Sequence, residues 1–193
     1  MKELTGAAQP GYRVYGNIDG ADRERPELSG RYCELICFCT NISQFTLNGT
    51  IYTAYQNDVL LLSPSDMFES TASESDIFGI MISNDLLLAL STPRTDFTQI
   101  FAEARKIENC GAAFTEKAAA VARRINDMRG SENFGDDILS VTELAKLLID
   151  LYRTRRKADG KKSKRPGRRP ENAITAQSVM AYIDLNYTDP QLA

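Results

Sequence analysis

Histidine and tryptophan are both absent from this 193-residue chain. Without imidazole, metal-dependent hydrolases and oxygenases lose their commonest ligand, and nucleophilic triads built on imidazole lose their base. No apolar run approaches the roughly 20 residues needed to cross a bilayer, and Met1 to Gly20 lacks the basic start and apolar middle of a signal peptide. The expectation is a soluble, cytoplasmic protein with no membrane partner. The four cysteines, at positions 33, 37, 39 and 110, do not resemble a secreted disulfide framework and are expected to be thiols. There is no phosphate-binding glycine loop, and Glu69 and Glu74 read as surface carboxylates. Nothing nominates a catalytic residue, a metal ligand or a cofactor, so an enzyme is not expected.

The net charge of −3 conceals an asymmetry. Between Arg153 and Arg169 ten basic residues stand against one acid, Asp159, which leaves the rest of the chain with an acidic excess of twelve. An acidic body carrying one basic strap does not coat nucleic acid by itself.

Residues 1–30 are rich in Gly, Pro and charge, with a short strand at Tyr12 to Tyr15, and read as an arm with little core of its own. Residues 31–83 have period two. On the first strand Cys33, Leu35, Cys37 and Cys39 alternate with Tyr32, Glu34, Ile36 and Phe38, and the cysteine set is taken as the inward face. Asn48-Gly49 marks a two-residue type I′ hairpin. Val59 to Leu62 reads as a short strand apolar throughout, and Met67 to Thr71 and Asp76 to Ser83 supply two more. Short strands separated by turn signals predict a barrel or sandwich. Residues 84–156 are helical: Asp85 to Leu90 capped by Ser83 or Asn84, Asp96 to Ala104, Thr115 to Met128, and a long helix from Asp136 or Asp137 to about Arg156. That last helix has one apolar stripe at Ile138, Val141, Ala145, Leu148, Ile149 and Tyr152 and a neighbouring one at Leu144, Leu147 and Leu151. Residues 157–171 read as a basic, flexible linker, and 172–193 as one amphipathic helix followed by the opening of another at Pro190.

The run Val179-Met-Ala-Tyr182-Ile183, Asn186-Tyr187, Asp189-Pro190 and Leu192-Ala193 resembles the start of the DNA-binding domain in AraC/XylS-type transcription regulators. The resemblance extends to Glu34-Leu35-Ile36, the Leu47-Asn48-Gly49 hairpin, Asn57-Asp58 before the Val59–Leu62 strand, and Pro64 with Phe68 four residues on. These are similar to the cupin-like sensor domain of the same family. Two departures stand out: Asn57 where Gly is usual, which Asn tolerates, and Phe68 where His is usual, which argues against a sugar-like or metal ligand.

The resemblance implies an α+β chain: a cupin-like, jelly-roll β-barrel, a helical dimerisation segment, a basic linker and a partial helix-turn-helix domain. It implies the effector-sensing and dimerising region of a bacterial regulator, an otherwise unidentified small-molecule effector, and a homodimer joined through the helix pair after the barrel, at Leu144, Leu147, Leu148 and Leu151. DNA would be a partner of the full-length protein, and specific DNA binding is not expected of these 193 residues. Cys33, Cys37, Cys39, Phe45, Leu47 and Tyr52 are candidate pocket residues, with a filled core using cysteine as a small hydrophobe as the other reading. For the leucines the other reading is burial inside a monomer. Arg165, Arg168 and Arg169 are candidate phosphate contacts, with a solvated spacer as the other reading. A metal-free cupin-like binding protein or enzyme with an unrelated C-terminal helix is the alternative function.

Overall fold

The computed structural model describes residues 11–26, 31–70, 76–102, 107–129 and 131–160. The linker arginines Arg165, Arg168 and Arg169 and the helix expected after residue 172 lie outside the described residues.

Among the described residues, eight strands and four helices follow in the order β1 Tyr12–Gly16, β2 Tyr32–Phe38, β3 Ser43–Leu47, β4 Thr50–Ala54, β5 Asp58–Leu62, β6 Phe68–Ser70, β7 Ile77–Ser83, α1 Asn84–Leu90, α2 Thr98–Ala102, β8 Ile107–Asn109, α3 Ala112–Asp127 and α4 Asp136–Gly160. Local chemistry explains most boundaries. Asn48 and Gly49 both have positive φ, 51° and 76°, as a type I′ turn requires. Leu47 accordingly pairs with Thr50 across the β3–β4 hairpin. Asn57 turns the chain at φ 68°. The Ser83 hydroxyl caps α1 by accepting from the Leu86 amide at 3.2 Å. α4 runs past the expected end at Arg156, since no proline or glycine interrupts it before Gly160.

The strands form a five-stranded antiparallel sheet, order β1-β7-β2-β5-β8, and a three-stranded sheet, order β4-β3-β6. Among the described residues the sheets pack face to face without closing, so the expected barrel is an open sandwich within an α+β chain. The larger sheet is also covered on its other face by the helices. Strand alternation therefore feeds two interiors. Ile36, Phe38, Leu60, Leu62 and Met81 face the small sheet, whereas Cys33, Leu35, Cys37, Leu61, Ile80 and Ile82 face the helices. This explains the uninterrupted apolar run of β5, which is buried on both sides.

Two expectations change here. The supposed arm is partly core: β1 pairs with β7 from Tyr12↔Ile82 to Gly16↔Phe78, and Tyr12, Val14, Tyr15 and Ile18 are buried. Leu144, Leu147, Leu148 and Leu151, expected at a dimer seam, are each 0% exposed within the single chain. Their spacing is that of one helical face, and that face is consumed by the chain's own helix-and-sheet core. α3 lies alongside it, with Lys117 paired to Asp150 and Arg124 to Glu143 at 3.1 Å. Of the other stripe, Val141, Ala145 and Ile149 also pack against this core, which leaves Ile138 and Tyr152 exposed, with Leu139 exposed on the opposite flank of the helix.

Arg155, counted above with the basic strap, is also core. Its guanidinium pairs with Glu108 at 3.2 Å and donates to the Ile100 carbonyl at 3.2 Å, which ties α4 to β8 and α2.

Candidate functional site

A half-open cavity of about 300 Å³ lies at the edge of the sandwich. Tyr15 and Gly16 from the end of β1, Phe68 and Ser70 from β6, and Ile77 from β7 form its walls, and Arg23, Glu24 and Arg25 form its rim.

The placement of Tyr15 begins with a missing side chain. Tyr15 stands opposite Gly79 in the β1–β7 register, and a Cβ at position 79 would lie 2.2 Å from the Tyr15 ring carbons Cε1 and Cζ. Because that Cβ is absent, the ring lies flat across β7 and its hydroxyl reaches the next strand, donating to the Glu34 carboxylate on β2. Gly16 is fixed by a second close approach: its φ is +87° and a Cβ there would lie 2.4 Å from the Ile77 carbonyl oxygen. The chain can then turn away from the sheet into residues 17–26, which return to the rim of the cavity, held by Asn17 donating to the Ile77 carbonyl and Gly16 to that of Asp22, both at 2.8 Å.

That return delivers Arg25 to Glu34. The guanidinium Nε lies 3.0 and 3.1 Å from the two carboxylate oxygens and Nη2 lies 2.7 Å from Oε2. The same guanidinium sits 5.3 Å from the centroid of Phe68, within cation–π range. Glu34 is 2% exposed in its side chain and Arg25 37%. A carboxylate so deeply buried requires a paired charge, and Arg25 supplies it. Burial, followed by the negative charge of Glu34, pushes the Tyr15 phenol well above its ordinary value. Burial also works against the charge on Arg25, but the hydrogen bonds and charge of Glu34 outweigh it and hold Arg25 above its usual value. Tyr15 is thus a donor and Arg25 a cation throughout the physiological range.

The sequence-selected pocket set divides between the two interiors. Phe45, Leu47 and Tyr52 belong to the sandwich interior: Phe45 stacks on Phe38 and Tyr52, each at 5.5 Å, and tilts against Phe68 at 5.5 Å. Cys33 and Cys37 lie on the opposite face of β2, buried under the helices, and Cys39 packs partly buried against the same core. All three remain thiols, and burial raises the Cys37 and Cys39 thiols. The cysteine face of β2 was taken as the inward one, whereas both faces are buried: the cysteines lie under the helices, and Glu34, with Ile36 and Phe38, lies on the sandwich side. Tyr15, Arg25, Glu34 and Gly79 were consequently not selected. One signal was available: both alternating sets on β2 are apolar apart from Glu34, the pattern of a strand covered on both faces.

Among the described residues, no group of three or more His, Cys, Asp or Glu is placed to hold a metal ion, and no helix is long and apolar enough to cross a membrane.

No protein-family model matches the sequence, and no curated protein matches it. Among solved structures, this chain is similar to the AraC-like transcriptional activator CuxR, at a TM-score of 0.45 and 10% sequence identity, over 84% of this chain and 54% of that one. The chain thus spans about half the length of that protein. A likeness of this size assigns neither family nor function.

Proposed function

We propose that these residues form the effector-sensing and dimerising region of a bacterial AraC-like DNA-binding transcriptional regulator that works in the cytoplasm and catalyses no reaction. The observation that carries this reading is the cavity beside the Arg25–Glu34 pair, rimmed by residues 23–25 of a segment, 17–26, that also touches the helical layer. Asp22 of that segment approaches Arg129, just past α3, at 3.4 Å. A ligand that changes how Arg25 sits would change what Asp22 offers to the α3–α4 pair. Such a ligand acts as an effector only through unequal affinity for the two arrangements.

In this reading residues 31–83 provide most of the sensor sandwich, with β1 completing it, and residues 84–156 carry dimerisation. The dimer surface is the exposed flank of α4 that carries Ile138 and Tyr152, since the four leucines are spent on the core. Linker residues Arg165, Arg168 and Arg169 would contact phosphates beside a helix-turn-helix domain that begins after residue 172. The sequence resemblance in Val179–Ala193 supports that arrangement.

One observation favours a second reading, a stand-alone small-molecule binder or enzyme: polar groups do converge at the mouth of the sandwich. Glu34, however, has its oxygens engaged by Arg25 and Tyr15 and is not a free general base. Sensing accounts better for a carboxylate that is already satisfied.

The test is a metabolite panel read by thermal shift, with each hit followed by sedimentation and by amide exchange of α3 and α4. The expected result is a dimer in which a hit raises the melting temperature and alters exchange in the helices. A monomer at high concentration with no responding metabolite would overturn the reading.

A further inference from the structure

We propose that the Glu34 pocket is a receptor for a small organic cation, an alkylguanidinium or a primary alkylamine, and that Arg25 is its internal occupant. This rests on the sensing reading and names the ligand class for that site. Within the sandwich the fixed parts of the site are a buried carboxylate, the Tyr15 hydroxyl that orients it, and the Phe68 ring. A carboxylate beside an aromatic face is complementary to a flat cation. The chain's own guanidinium already shows the pose, with Nε and Nη2 on the carboxylate and the plane near Phe68. The cavity beside it, walled by Gly16, Ser70 and Ile77, has room for an alkyl tail.

Charge decides between ligand classes. If a polyol displaced Arg25, Glu34 would be left as an unpaired buried carboxylate, which is strongly unfavourable. An anion would be offered Arg23 and Arg25, but against Glu24 at the rim and Glu34 behind Arg25. An incoming cation exchanges one charge for another and leaves every buried group paired. The occupant can also leave: Arg25 is supplied by residues 17–26, which form no helix or strand beyond one isolated bridge between Tyr15 and Asp22. Its departure therefore breaks no sheet.

The experiment uses ethylguanidinium chloride as the probe, below denaturing concentration and at constant ionic strength, with sodium benzoate as the anionic comparator. Arg25→Ala is expected to lose thermal stability and to regain it with ethylguanidinium but not benzoate. The added substitution Glu34→Gln is expected to abolish that rescue. The wild-type chain should need at least about tenfold more probe, because it must first expel its own side chain, and should then show faster amide exchange in residues 17–26. That wild-type measurement stands even if Arg25→Ala does not fold. Rescue that survives Glu34→Gln, or wild-type protein whose 17–26 exchange is unchanged at saturating probe, overturns the proposal. If the probe fails while another metabolite shifts the wild-type melting temperature and the helix exchange, the cation class falls and the sensing reading remains. If ethylguanidinium opens residues 17–26 without altering α3 or α4, the cation site stands and the sensing reading falls.

Discussion

The two faces of the five-stranded sheet carry different kinds of interior. Toward the helices lies a larger, mostly aliphatic core, including Cys33, Cys37 and the four α4 leucines, with the buried Arg155–Glu108 pair joining α4 to β8. Toward the small sheet lies a smaller, aromatic-rich core in which a buried carboxylate, a phenol and a guanidinium meet beside a cavity. The same strands build both, since alternate side chains of β2, β5 and β7 point to opposite sides. On the proposed reading, one face of this sheet serves stability and the other recognition.

The comparison breaks most visibly on the helix side. Leu148→Ala should cost about 2–5 kcal/mol of folding stability, read by urea unfolding, while ethylguanidinium binding at low temperature stays unchanged. A loss of binding there would show that the two interiors are not separable.

On the recognition side the largest effect belongs to a residue with no side chain. Gly79→Ala forces a methyl group into the Tyr15 ring and should cost about 1–3 kcal/mol by overpacking, with the phenol displaced from Glu34. Urea unfolding together with the Tyr15 ring resonances checks both parts. Tyr15→Phe keeps the ring and removes the donor, so about 1–2 kcal/mol is expected, with weakened cation binding as its second signature. If Gly79→Ala were neutral while Tyr15→Phe were costly, the flat crossing of β7 would be irrelevant and the hydrogen bond alone would matter.

The smallest effect concerns alkaline pH. Burial, aided by the charge of Glu108, raises the Cys110 thiol from 9.0 to about 12. Between those values the unfolded chain gives up a proton that the folded chain keeps, so this contribution to stability is complete below pH 9 and is lost as pH rises toward 12. Cys37 and Cys39 act in the same direction. Cys110→Ser should therefore make the alkaline decline in melting temperature shallower without removing it.

What could be read from sequence was what is local. The Asn48-Gly49 hairpin, the αL turn at Asn57 and the Ser83 cap each depend on a few adjacent residues, and each is found as expected. The stripes of α4 were legible as stripes, but which of them the chain would cover depends on α3 and on strands far away in sequence. Glu34 was not selected because its partners are non-local: Tyr15 reaches it only across Gly79, and Arg25 arrives on a segment whose composition reads as loop. The cysteines were assigned to the cavity because alternation separates the two faces of a strand without saying what covers each, and the helices that cover the cysteine face lie far away in sequence.

The β1–β7 pairing joins residues more than sixty positions apart, and this gives the site a history as well as a shape. Tyr15 has nothing to lie against until Gly79 exists, and Arg25 has no oriented carboxylate to meet until β2, β7 and β1 are side by side. On a ribosome adding roughly 5–20 residues per second, β1 waits on the order of seconds for its partner. The cluster of Tyr15, Glu34 and Arg25 therefore cannot assemble before β7 has been made, and on the proposed reading a nascent chain shorter than that is insensitive to its ligand.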